Sequence, residues 1–139
     1  MNPYELKLCD IQGRLFELAG KDKYDSPEFI KTYMESDIAK NLDSKFNRYQ
    51  WAGEEYLLEE LTDNINIPKS NTTYSNEVLY WTGYIYRYWH FYKNISSNKI
   101  IKLASPETMN RNYHMFHTND PTIAIDDLIE MHSQKHERQ

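Results

Sequence analysis

The stretch 75–94, SNEVLYWTGYIYRYWHFYKN, constrains the fold more than any other part of the chain. Val78, Trp81, Ile85, Tyr88 and Tyr92 recur at three- and four-residue steps, the period of one helical face. Tyr80, Tyr84 and Phe91 fill a neighbouring face, and Tyr86 and Trp89 extend the apolar coverage further. A helix that is apolar nearly all round is either enclosed by protein or spans a membrane. A span needs about 20 apolar residues, whereas this run carries Glu77, Arg87, His90 and Lys93. The expectation is a water-soluble domain arranged around this helix. Its tyrosines each join a large apolar body to a polar tip, which suits a half-wet interface as well as a core.

The flanking sequence is punctuated for more helices. Tyr4, Leu8, Ile11, Leu15 and Leu18 form a stripe over 4–19, with Gly20 where a C-terminal helix glycine is expected. Ser26-Pro27-Glu28 is a start signal, with Ser26 as N-cap and Pro27 in the first turn. Phe29, Ile30, Tyr33 and Met34 follow on the inner face, and Ser36 either interrupts this helix or starts another through Ile38, Ala39 and Leu42. The stretch 50–62 reads as a helix, with Trp51, Tyr56, Leu57, Leu58 and Leu61 apolar and Glu54, Glu55, Glu59 and Glu60 on an acidic side. Pro68 and an Asn/Ser/Thr cluster make 64–73 a connection. After the aromatic helix, Ser97 caps a short helix, Ser105-Pro106-Glu107 starts another, and Asp120-Pro121 starts the last. The tail from His132 is polar, and 135–139 are expected to fray. No segment alternates at the strand period, so the fold class is all-α, one helical domain over 1–139.

The bulk properties narrow the function. A chain of 139 residues buries one core without disulfides or metals. Cys9 is the only cysteine, so no intrachain disulfide forms, as expected of a reducing cytoplasm. The N-terminus MNPYELKLCD has neither the basic region nor the apolar run of a secretory signal. The net charge of −5 argues against broad nucleic-acid binding, although a local basic patch is compatible with it. No phosphate-cradling glycine loop, paired-cysteine motif or nucleophile elbow is present, and no pattern asks for a cofactor.

Several residue groups could carry chemistry or binding. Arg111 and His117, in RNYHMFH, resemble the Arg-Asn…His motif of the HEPN family of helical ribonucleases. The resemblance implies that Arg111 stabilises a phosphate and His117 moves protons in metal-independent RNA cleavage. Against it, positions six apart on one continuous helix diverge by about 120°. His114 and His117 form H-x-x-H, but a metal site needs three or four converging ligands and no second cluster supplies them. Glu54, Glu55, Glu59 and Glu60 suit a solvated face or an acidic surface that meets a basic partner. Arg87, Tyr88, Trp89 and His90 mix basic and aromatic character, which protein interfaces favour.

The C-terminal half adds a second resemblance. A tyrosine-rich helix with Tyr86 and Tyr92, a short capped helix with Ser97, Ile101 and Leu103, then Tyr113, His117-Thr118 and a final Ile125-Asp126-Asp127-Leu128 helix follow in that order. This order resembles short helical bacterial proteins encoded beside ADP-ribosyltransferase-like toxins in toxin–antitoxin operons. The N-terminal helices lie outside the likeness. It implies an antitoxin-type binding protein that neutralises a cognate toxin by direct contact, not a catalyst. The partner contacts expected on that reading are Trp81, Tyr84, Arg87, His90, Arg111, His117 and Asp120, with no metal, cofactor, membrane or nucleic acid. The alternative is the ribonuclease using Arg111 and His117.

Overall fold

Two glycines decide how the helices meet. The computed structural model describes residues 1–45, 49 and 51–137. Among them are eight helices: α1 (Pro3–Lys21), α2 (Ser26–Met34), α3 (Asp37–Asp43), α4 (Glu54–Asn64), α5 (Asn76–Lys93), α6 (Ser97–Leu103), α7 (Pro106–Phe116) and α8 (Pro121–Glu137). No strand occurs among the described residues, so the class is all-α. The aromatic helix α5 packs most extensively on α1 and also touches α6, α7 and α8. At the α1–α5 crossing, a Cβ on Gly83 would lie 2.5 Å from the Gln12 carbonyl oxygen, and a Cβ on Gly13 2.8 Å from the Tyr80 carbonyl oxygen. Only hydrogen fits at both positions, so the two backbones touch. Gly20, expected to end α1, lies inside the helix instead; a Cβ there would strike the Leu79 side chain. The left-handed residue after α1 is Lys23, at φ 67°.

The helix starts follow the sequence signals with three displacements. Asn2 and Glu5 form a reciprocal capping box on α1. Ser36 caps α3 and Ser105 caps α7, each accepting from an amide three residues on. For α2 the cap is Asp25, not Ser26: Asp25 accepts from the Glu28 amide, and the Ser26 hydroxyl accepts from the distant Tyr74 amide. For α6 the N-cap position falls on Ser96, not Ser97, and Ser96 makes no side-chain cap bond. The Ser97 amide is satisfied by Asp43 of α3. In both places a long-range partner moved the boundary by one residue. Helix α4 begins at Glu54 behind Gly53, later than the expected Gln50, which lies outside the described residues. Trp51 and Tyr56 are largely exposed, so only Leu57, Leu58 and Leu61 of that stretch join the core. The expected tail at 135–137 forms the last residues of α8; 138–139 lie outside the described residues.

The core is ring-rich. Phe16 of α1 meets Phe29, Tyr33 and Tyr86 edge-on, at centroid distances of 5.6, 5.4 and 6.3 Å. One ring thus joins α1, α2 and α5, in the edge-to-face geometry that aromatic quadrupoles favour. Tyr86 donates its hydroxyl proton to the Ala104 carbonyl at 2.6 Å, tying α5 to the end of α6. The 64–73 connection is held by the α1–α2 turn: Ser70 donates to the Lys23 carbonyl, and the Lys69 ammonium lies 3.8 Å over the Tyr24 ring.

Two predictions follow from this packing. Gly83→Ala drives a methyl into backbone that cannot rotate away, and is expected to cost about 1–3 kcal/mol in urea unfolding. Gly53→Ser, where a Cβ meets only the end of the Glu55 side chain at 3.5 Å, is expected to change stability by a few tenths of a kcal/mol. The second prediction concerns alkali. Burial pushes the Cys9 thiol and the Tyr33 phenol each up to about 12, and Tyr86 well above its ordinary value. In the unfolded chain such groups lose protons near about 8.5 for Cys and about 10 for Tyr. The folded state therefore binds more protons above those values, so stability is complete below about pH 8.5 and falls as pH rises towards 12. The melting temperature should be flat from pH 7 to 8.5 and drop progressively above 9.5. Cys9 should resist a thiol reagent at pH 8 until urea unfolds the chain.

Candidate partner-binding groove

Three tyrosines of α5 that are not fully buried form a ladder. Tyr80, Tyr84 and Tyr88 are spaced one turn apart, with ring centroids 6.0 and 6.2 Å from their neighbours. All three are half-buried. The Tyr80 hydroxyl donates to Asp10 of α1 at 2.5 Å, and Asp10 also pairs with Arg14 at 3.0 Å. Beside the ladder, Trp81 meets Tyr113 of α7 edge-on at 5.7 Å, and Tyr113 stacks flat on His117 at 4.3 Å. The His117 Nδ1 lies 2.8 Å from the Tyr113 carbonyl. A carbonyl only accepts, so Nδ1 is the donor in this contact. Asp120 accepts from the Thr122 amide and hydroxyl at the start of α8, which holds its carboxyl below the usual range.

These elements enclose a groove of about 480 Å³ between α5, α7 and the start of α8. Its walls are Tyr80, Trp81, Tyr84, Ile85 and Tyr113, with His117, Asn119 and Pro121 closing one end. Glu17 and Glu77 supply its charge. A second depression of about 530 Å³ continues from it, sharing Glu17 and Tyr80 and adding Asp10, Arg14, Lys21, Glu54 and Glu55. Across both, five carboxylates (Asp10, Glu17, Glu54, Glu55, Glu77) face two cations, Arg14 and Lys21. Both cations are already paired, with Asp10 and Glu17. The joined surface is aromatic and acidic.

The expected contact residues divide into four groups. Trp81, Tyr84 and His117 line the groove, Trp81 as a floor that is only 9% exposed rather than as a protruding anchor. Asp120 is exposed at the start of α8, next to Pro121 of the groove. Arg111 lines a different cavity with α6 and α8, so it and His117 are not brought into one site. Arg87 and His90 point inward, a correction to their expected surface role. Arg87 is 1% exposed. Its Nη1 donates to Asp43 Oδ1 at 2.6 Å, Nε to Gln12 Oε1 at 3.1 Å, and Nη2 to the Ser97 hydroxyl at 3.2 Å. His90 directs Nδ1 at the Ile95 carbonyl, 2.6 Å away, and stands 3.5 Å from Asp43. An unpaired guanidinium inside a protein costs several kcal/mol, so an arginine on an all-apolar helix was bound to find such partners.

Helical spacing could not show Glu17, Glu77, Tyr113 and Asn119 as groove residues, because they come from three helices and a loop. His114 and His117 have their rings 6.4 Å apart, and among the described residues no three His, Cys, Asp or Glu side chains gather to hold a metal ion. No described helix is long and apolar enough to cross a membrane.

The polar cluster around Arg87 is itself testable. Asp43→Ala leaves the Arg87 charge enclosed without its carboxylate and is expected to lower stability by about 3 kcal/mol. Adding Arg87→Met to that variant removes the stranded charge and should recover part of the loss in a double-mutant cycle.

A search for relatives adds nothing to this geometry: no family model, curated protein or solved structure matches the chain.

Proposed function

We propose that this chain is a binding protein that holds a basic segment of another polypeptide in the groove between α5, α7 and α8, and that the partner is a toxin it neutralises. The observation that carries the binding reading is the continuous aromatic and acidic surface running from Trp81, Tyr84 and Tyr113 to Glu17 and Glu77, then to Glu54 and Glu55. Arginine and lysine side chains lie well over Trp and Tyr rings, and the surrounding carboxylates complement their charge. Most groove residues stand on helices, so little ordering is needed on binding. The toxin identity is supported by the C-terminal resemblance alone. Blocking a toxin's active site or its access to substrate requires only occupancy.

The ribonuclease alternative gains no support from the placement of Arg111 and His117, which line separate cavities. An assay of the purified chain on RNA without metal, beside Arg111→Ala and His117→Ala, remains the direct comparison.

The test of the proposal is co-expression with the product of the adjacent gene, followed by affinity measurement on the purified pair. Tyr84→Ser together with Glu77→Lys is expected to weaken binding at least 100-fold, about 2.7 kcal/mol, while shifting the melting temperature by only a few degrees. Raised salt should slow association. An adjacent gene encoding no toxin-like enzyme, unchanged affinity in the double variant, or RNA cleavage abolished by Arg111→Ala would each defeat the proposal.

A further inference from the structure

Away from the groove, α6, α7 and α8 enclose a cleft of about 420 Å³ whose charge runs the other way. Lys102, Arg111 and Lys135 line it together with His132 and His136, and among the described residues no carboxylate lines it. This is unexpected in a chain of net charge −5. Among the described residues the ion pairs use Arg14, Lys21, Arg87, His90 and Lys93, so the three cleft cations have no carboxylate partner. They come from three different helices, and three like charges left together repel unless an anion joins them. His132 and His136 lie 4.1 Å apart. Burial, then His136 and Lys135, hold His132 below its ordinary value, which agrees with a positive field inside the cleft.

We propose that this cleft is a binding site for small phosphorylated compounds. A phosphate group carries close to two negative charges at neutral pH and offers three strong acceptor oxygens. Arginine presents a planar fork of donors to such oxygens, and lysine adds a mobile point charge. The volume lies in the range of small-molecule sites. Leu103, Leu128 and Met131 provide apolar wall for the organic part of a phosphate ester. Thr108 and Asn112 add polar groups at the α7 wall; Asn112 is braced by its own bond to the Thr108 carbonyl at 2.8 Å. The site is independent of the partner-binding groove.

Isothermal titration of the full chain tests this with four probes: pyrophosphate, adenosine diphosphate, adenosine and a ten-nucleotide single-stranded RNA. Pyrophosphate and adenosine diphosphate are expected to bind one to one, and adenosine not to bind. A stronger signal for adenosine diphosphate identifies an ester as the ligand; equal binding identifies the free anion. Arg111→Gln and Lys135→Gln are each expected to weaken binding at least tenfold. Lys99→Gln, on α6 outside the cleft, should leave it unchanged. All three side chains are exposed, so the variants should melt with wild type. Absence of binding by both phosphate compounds overturns the proposal. So does binding that survives Arg111→Gln and Lys135→Gln, and so does RNA binding without binding of either small compound, which would make the cleft part of a nucleic-acid surface.

Discussion

One buried cation organises the interior. The Arg87 guanidinium must be satisfied on every side because water cannot reach it. Its partners come from α1 through Gln12, from α3 through Asp43, and from α6 through Ser97. Gln12 in turn accepts from the Tyr33 hydroxyl of α2 at 2.7 Å and donates to the Gly83 carbonyl of α5 at 2.8 Å. Five helices therefore meet at one hydrogen-bonded cluster. The last of these bonds breaks the ordinary pattern of a helix, since a side chain from α1 reaches a main-chain carbonyl of α5. It does so because Gly13 and Gly83 let the two backbones touch beside it. The glycine contact and the polar cluster meet at Gln12, whose side chain joins both helices.

This arrangement fixes which surface is left for binding. Arg87, Tyr86 and Trp89 face the interior, so the rows of α5 carrying Tyr80, Tyr84 and Tyr88 fall at its edge. Trp81 sits between the two environments, with its ring against Tyr113. The groove is thus a direct extension of the core, built from side chains whose rotamers are set by packing and by hydrogen bonds such as Tyr80 to Asp10. Such preorganisation lowers the conformational entropy lost on association.

The helices themselves were legible because their evidence is local. The stripe of α1, the Ser-Pro-Glu starts of α2 and α7, and the period of α5 are all carried by neighbours within one or two turns. What the sequence could not reveal depends on approach through space. Gly13 and Gly83 read as unremarkable helix glycines until two helices are laid across each other. Asp43 reads as a solvated end of a short helix, yet it serves both Arg87 and the first amide of α6. Ser26 and Ser97 each carry a cap signature, but remote groups engage both residues and shift each boundary by one. Arg87 and His90 look like surface groups in a one-dimensional reading, because charge beside aromatics is common at interfaces. Trp51 errs the other way: an apolar type that stays 76% exposed. Tyr84 and His117 were visible as candidates because half-wet aromatics and exposed histidines stand out. Their acidic neighbours in the groove did not, since they are gathered from α1 and the start of α5.

Net charge hides a further division. The chain is acidic overall, but the joined groove carries carboxylates in excess, and among the described residues the cleft at α6, α7 and α8 is lined by Lys102, Arg111 and Lys135 without a carboxylate. Helix α7 stands between them, giving Tyr113 to the groove and Thr108, Arg111 and Asn112 to the cleft. A cationic segment approaching this molecule is attracted by one side and repelled by the other, and a phosphorylated compound meets the reverse. Repulsion at the wrong site contributes to selectivity as directly as attraction at the right one. The two surfaces therefore discriminate by charge in opposite senses on a domain of this size, which an evenly mixed surface of the same net charge could not do.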